Sequence, residues 1–184
     1  MRKLHTPLTD DIVLSLHAGD RVLLSGFIYT ARDAAHKRMH EAIQAGASLP
    51  FDPSGQIIYY AGPAPAKPGE IIGSCGPTTS GRVDVYTPEL LQRGLRAMIG
   101  KGSRTSEVIE AMVKNQAVYF AAVGGAGALI AQCVTASEPV AYPDLGTEAI
   151  VRLTVKDMPL IVVVDCYGTD AYQEEKKKYR RIVV

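Results

Sequence analysis

The sequence predicts an α/β fold, and three observations carry that prediction. Short β-branched runs alternate with longer segments whose apolar residues recur at helical spacing. Most of the short runs end in glycine, aspartate or a Gly-Pro cluster, the punctuation expected between strands and helices. With 184 residues, 47% of them hydrophobic and 21% charged, the chain can bury one core of ordinary size. Neither an internal repeat nor a low-complexity linker divides it.

The first clear element is RVLLSGFIY, residues 21–29, a strand introduced by the turn AGD. A helix is predicted over 30–46. Thr30 reads as its N-cap, with Asp33 three residues later, and Gly46 as the stop. QIIYYAG (56–62) and EIIGS (70–74) read as strands flanking the proline-rich loop PAPAKPG. CGPTTSGRVD (75–84) has two glycines, a proline and three consecutive hydroxyls, which fit neither a helix interior nor a central strand, so it reads as a loop at a strand end. TPELLQRGLR (87–96) reads as a helix with Thr87 as N-cap and Pro88 at the first helical position. AMIG (97–100) is a short strand running into KG, 103–116 a helix and 117–125 a strand. AGALIAQCV (126–134) fits either class and is read as helix; two strands, 149–157 and 160–165, precede a turn and a charged last helix.

Composition narrows the function classes. Lysine and arginine number 20 against 19 aspartates and glutamates, without the basic excess of nucleic-acid binders. The tail EEKKKYRR is basic only locally and reads as a solvated helix face. No run approaches the roughly twenty apolar residues of a membrane span. The N-terminus meets acid and proline before an apolar segment develops, so no signal peptide is expected and the expected location is cytoplasmic. Cys75, Cys133 and Cys166 are odd in number and widely spaced, which argues against a disulfide framework. None forms a C-x-x-C unit with another, so no metal role is assigned to them; Cys133 and Cys166 read as small core residues.

The chemistry-bearing residues gather at predicted strand ends. Arg32 closely follows the strand of residues 21–29, Lys101 follows AMIG, and Arg82 lies in the glycine-rich loop. Open α/β sheets bind ligands at the carboxyl ends of their strands. Arginine offers a planar fork for a carboxylate or phosphate, and lysine a compact charge. With the hydroxyls of Thr78, Thr79 and Ser80 and the backbone N–H groups around Gly81, these residues suit a small polyanion, a dicarboxylate taking one cation at each end. Surface arginines beside an ordinary turn are the alternative reading of the same residues.

Other motifs are set aside. VGGAGAL (123–129) does not fit G-x-G-x-x-G, so no nicotinamide cofactor is expected. His36 and His40 have the i, i+4 spacing of metal ligands, but their basic neighbours favour surface histidines. There is neither a G-x-S-x-G elbow nor a P-loop, which counts against a phosphate-ester enzyme.

The blocks LLSGFIYTARDAAHKRM, YYAGPAPAKPGEIIGSCGPTTSGRVD, MIGKG and YPDLGTEAI together resemble the β-subunit of class I fumarate hydratase and L(+)-tartrate dehydratase, a unit that also occurs as the C-terminal domain of longer fused enzymes. The resemblance covers almost the whole chain. It implies a swivelling β/β/α domain over 1–184, a single compact domain with a mixed sheet and flanking helices. It also implies an iron–sulfur hydro-lyase that reversibly hydrates fumarate to malate. The four-iron four-sulfur cluster is then expected on a partner α-subunit in a hetero-oligomer, with no metal on this chain. Arg32, Arg82 and Lys101 match the family's substrate-carboxylate ligands, with Thr79 beside them; Thr78 matches the proton-transfer residue, assisted by Arg82. Asp33, Ser80 and Gly81 are expected behind these groups.

A threonine hydroxyl is a very weak acid, so Thr78 needs a local field or a relay to act as a base. Tartrate dehydratase β-subunits share the same loop and GKG block; TTSGRVD and LGTEAI favour fumarate. The rival of another class is a non-catalytic anion-binding or assembly module of a larger complex.

Overall fold

Strand β2 (Arg21–Thr30) organises the fold because it is long enough to serve several neighbours. In the computed structural model, which describes residues 1–180, its first half pairs in parallel with β1 (Arg2–His5). Its last residues pair in parallel with β3 (Ile57–Tyr59). Along its other edge runs the antiparallel β7 (Ile150–Val164). β3, β4 (Ala97–Gly100) and β5 (Val118–Ala121) continue in parallel, and β5 pairs antiparallel with the second half of β7. The sheet is therefore mixed and closes on itself through β2, β3, β4, β5 and β7. β6 (Val134–Ala141) lies antiparallel on the first half of β7.

The parallel strands β3, β4 and β5 are apolar on both faces, and alternation sorts their side chains into two cores. Ile57, Tyr59, Ala97, Ile99, Val118 and Phe120 join Leu24 and Ile28 in one. Ile58, Tyr60, Met98 and Tyr119 belong to the other. There they meet Met39 of α2 (Asp33–Gln44), Leu90 and Leu91 of α3 (Thr87–Gln92) and Val108 and Met112 of α4 (Ser106–Lys114). Fully burying one such side chain contributes about 1.5–3 kcal/mol. The remaining helices are α1 (Asp10–Leu14), α5 (Gly127–Gln132) and α6 (Ala171–Tyr179).

Several expectations need correction. Thr30 is not a helix cap: it ends β2, and its hydroxyl donates to the Val151 carbonyl at 3.4 Å. The N-cap of α2 is Arg32, with no capping side-chain bond. Gly46 does stop the helix, at φ 66°, with its N–H on Ile43 O and that of Ala47 on Ala42 O, a Schellman pair. Thr87 is the first residue of α3, with Tyr86 as cap; its hydroxyl donates back to Val83 O. EIIGS forms no strand, because its neighbour is the donor-poor segment PAPAKPG and only the Ala64 pairings with Gly73 and Ser74 form. The two strands predicted at 149–157 and 160–165 are one, β7, which passes through Asp157 at φ 49°.

α5 is helical, as read. Short charged β1, α1 and the polar, proline-bearing edge strand β6 were not foreseen. The charged tail forms α6, and Arg181 lies outside the described residues. No helix among the described residues is long and apolar enough to cross a membrane.

Candidate active site

The parallel strands β2, β3 and β4 end on one rim of the barrel, and the predicted cations stand there. Arg32 leaves β2 two residues after its end, and Lys101 follows β4 directly. The loop of residues 75–84 is inserted between them. Its Thr78 N–H donates to Tyr60 O (2.7 Å), Lys101 N–H to Thr78 O (3.3 Å) and Ser80 N–H to Lys101 O (2.9 Å). Tyr60 N–H still bonds Ile99 O, so the segment takes over where the β3–β4 ladder stops and parts the two strand ends. Inside the barrel Tyr59 Oη holds the Cys75 carbonyl at 2.6 Å, and the Cys75 N–H reaches Gly127 O at 3.0 Å. The loop then closes as a 3-10 turn, Ser80–Val83, which carries Arg82.

Arg32 and Arg82 are brought together by Asp33. Arg82 Nε donates to Asp33 Oδ1 at 2.7 Å and Arg32 Nε to Oδ2 at 3.4 Å. Burial acts to raise the Asp33 carboxyl, but its own backbone N–H and the two guanidiniums outweigh that and hold it below the usual carboxylate range. Glu148 is a second carboxylate on this rim, which sequence reasoning missed. It pairs with Arg32 Nη2 at 3.5 Å and accepts the Ala34 N–H of α2 at 2.8 Å. It ends the 3-10 segment Pro143–Glu148 in the YPDLGTEAI block, and a lone acid in a polar loop gave no signal of its partner. Arg82 stays 52% exposed and Arg32 22%, so Arg82 is open to solvent and Arg32 is partly buried. Lys101 is exposed and forms no ion pair among the described residues.

The hydroxyls divide. Thr79 is exposed and bridges to Lys101 through the backbone. Thr78 is half-buried and donates its hydroxyl proton to Tyr60 O at 2.8 Å, which leaves its lone pairs for an outside donor. Ser80 is fully buried, its Oγ 2.8 Å from Tyr119 Oη. Gly81 is exposed, with room for a Cβ. Gly100 has no such room: a Cβ there overlaps Ser80 Oγ and comes within 2.9 Å of Tyr60 Cδ2.

His36 is not a surface histidine. It is buried, with Nδ1 3.0 Å from Arg32 O, its ring edge-on to Tyr60 and Nε2 without a partner. His40 pairs with Glu89 at 2.8 Å. Of the thiols, Cys75 and Cys166 are buried and Cys133 only half-buried, short of the core place read for it. Burial pushes the Cys75 thiol up to about 12. The described residues hold no group of three or more His, Cys, Asp or Glu able to bind a metal ion, and these dispersed thiols do not fit an iron–sulfur cluster.

A groove of about 820 Å³ opens between β5, β7 and α6, lined by Ala121, Val123, Ile161 and Val163. It includes Lys101 but not Arg32, Thr78 or Arg82. The arginines and the hydroxyl loop therefore lie outside that groove.

The anaerobic class I fumarate hydratase of Escherichia coli K12 is 43% identical over 157 residues, 84% of this chain and 28% of that protein. The aerobic enzyme of the same strain is 40% identical over 156 residues, again 28% of its length. The chain thus spans little more than a quarter of these relatives. A protein of Methanocaldococcus jannaschii provisionally named L(+)-tartrate dehydratase subunit beta is 40% identical over 177 residues, which cover 93% of this chain and 91% of that one. The model of the family described as Fumarase C-terminus matches residues 2–175, and the chain belongs to that family.

Proposed function

We propose that this chain is the β-subunit, a single fumarase-type domain of swivelling β/β/α type over residues 1–184, of a hydro-lyase that reversibly hydrates fumarate to malate. The observation that carries the reading is the convergence of Arg32, Arg82 and Lys101 with the Thr78–Thr79 loop on one rim. One substrate carboxylate meets the Arg32–Arg82 pair and shares it with Asp33 and Glu148; the other meets Lys101. Thr79 lies between them as a hydroxyl donor. Thr78 handles the proton at C3 of malate. Its hydroxyl turns from the Tyr60 carbonyl toward the substrate, and its own proton passes to a group outside this chain. Negative charge that builds toward the neighbouring carboxylate is stabilised by the cations already in place. Substrate is enclosed by an iron–sulfur α-subunit in a hetero-oligomer; the four-iron four-sulfur cluster, which the donors of this chain do not fit, would be held there and would supply the Lewis acid for departure of the C2 hydroxyl.

The near full-length match to the Methanocaldococcus protein favours a second reading, the β-subunit of an L(+)-tartrate dehydratase. Both share the carboxylate clamp, so kinetics with each substrate decide between them. The test of the clamp is Arg82→Ala in the assembled complex. Loss of a charge-stabilising donor predicts a kcat lower by about 10²–10³-fold. Turnover kept at the wild-type rate, with assembly weakened, would instead identify an anion-binding or assembly module.

A further inference from the structure

We propose that Arg104 is the positioning residue of this site: a buried guanidinium that sets the backbone of the hydroxyl loop without touching substrate. Its side chain is 0% exposed, and each of its three nitrogens donates a hydrogen bond. Nε donates to Asp84 Oδ1 at 2.8 Å, Nη1 to Tyr60 Oη at 3.2 Å and Nη2 to Thr87 Oγ1 at 2.8 Å. The same guanidinium lies 5.2 Å from the Tyr60 ring centroid and 5.1 Å from that of Tyr119. Each partner leads to a piece of the site. Tyr60 supplies the carbonyl that holds Thr78 by both N–H and hydroxyl. Tyr119 Oη holds Ser80 Oγ and donates to Gly102 O at 3.0 Å, next to Lys101. Asp84 follows the turn bearing Arg82, and its second oxygen takes the Thr105 N–H at 2.8 Å.

A buried ion pair is a weak source of net stability, because desolvation offsets most of the attraction. What the planar fork provides here is direction: three fixed bonds and two ring faces define one arrangement of β3, the loop and the segment after β4. Lysine in its place keeps the charge and loses the fork. Arg32, Arg82 and Lys101 have long side chains that absorb a small backbone shift. Thr78 has a single rotor and moves with its backbone.

The test has one arm independent of activity. Amide hydrogen exchange of the full chain compares wild type with Arg104→Lys, and with Tyr60→Phe as a second variant that cuts a single link. Protection of the Thr78, Ser80 and Lys101 amides is expected to fall by at least about tenfold, while Tyr60 and Val118 amides in the β3–β4–β5 ladder stay unchanged. Unchanged loop protection in either folded variant overturns the proposal. So does an equal loss at loop and ladder in both, which would mean general support of the domain. The second arm rests on the hydro-lyase reading. In the assembled complex Arg104→Lys is expected to lower kcat by about 10²-fold, as for a misplacement near 1 Å, with KM held within about threefold. A wild-type kcat there overturns the role. An inactive wild-type complex counts against the proposed reaction and leaves the exchange arm to decide Arg104.

Discussion

His36 shows how a single side chain couples the rim to pH. Burial pushes its pKa down to about 4, with the Arg104 charge acting the same way and the Arg32 carbonyl and Asp33 acting against it. The unfolded chain, with a pKa near 6.5, takes up a proton that the folded chain refuses. His36 therefore contributes stability that is fully present above about pH 6.5 and is lost as the pH falls toward 4. The slope from one such group is at most about 1.4 kcal/mol per pH unit. Denaturant titrations of wild type and His36→Gln, followed by circular dichroism because tryptophan is absent, should show the shallower dependence in the variant between pH 6.5 and 4. Equal slopes would contradict the burial argument. Asp33 adds to the acid loss with the same sign at lower pH, since its folded pKa is depressed below the unfolded value.

At the scale of elements, the decisive feature is the loop that parts β3 from β4. Gly100 makes the close approach possible, so Gly100→Ala tests it. The added Cβ collides with Ser80, which is pinned by Tyr119, and with Tyr60. Overpacking of this kind costs about 1–3 kcal/mol, read as a lowered denaturation midpoint. A second change, Ser80→Ala, should recover part of that loss by removing the colliding oxygen; strict additivity of the two would contradict the geometry.

Sequence reasoning found this loop because proline, glycine and adjacent hydroxyls exclude regular structure, and it found β4 and the stop of α2 from equally local signals. The fork of Arg104, the carboxylate of Glu148 and the burial of His36 escaped it. Each depends on a partner distant in the chain, such as Arg104 to Tyr60 or Glu148 to Arg32. β6 escaped for another reason. It is a half-exposed edge strand stabilised by its ladder on β7 rather than by an apolar face of its own.

At the scale of the molecule, the closed barrel is a rigid stand for an open rim. Its parallel strands deliver two cations and the hydroxyl loop to one end, and β6 leads the chain back to that end, where Glu148 stands just before β7. On this chain Arg82 is exposed and Arg32 is partly buried. On the proposed reading, the isolated chain is expected to hold substrate without turning it over. The most direct measurement is anaerobic hydratase activity, scored by loss of fumarate absorbance. It compares the chain alone with the chain co-expressed with an iron–sulfur α-subunit, and L-tartrate is run in parallel. Activity is expected only in the co-expressed sample, with fumarate preferred. A fully active isolated chain, or a cluster-loaded complex inactive on both substrates, would contradict the proposed reading.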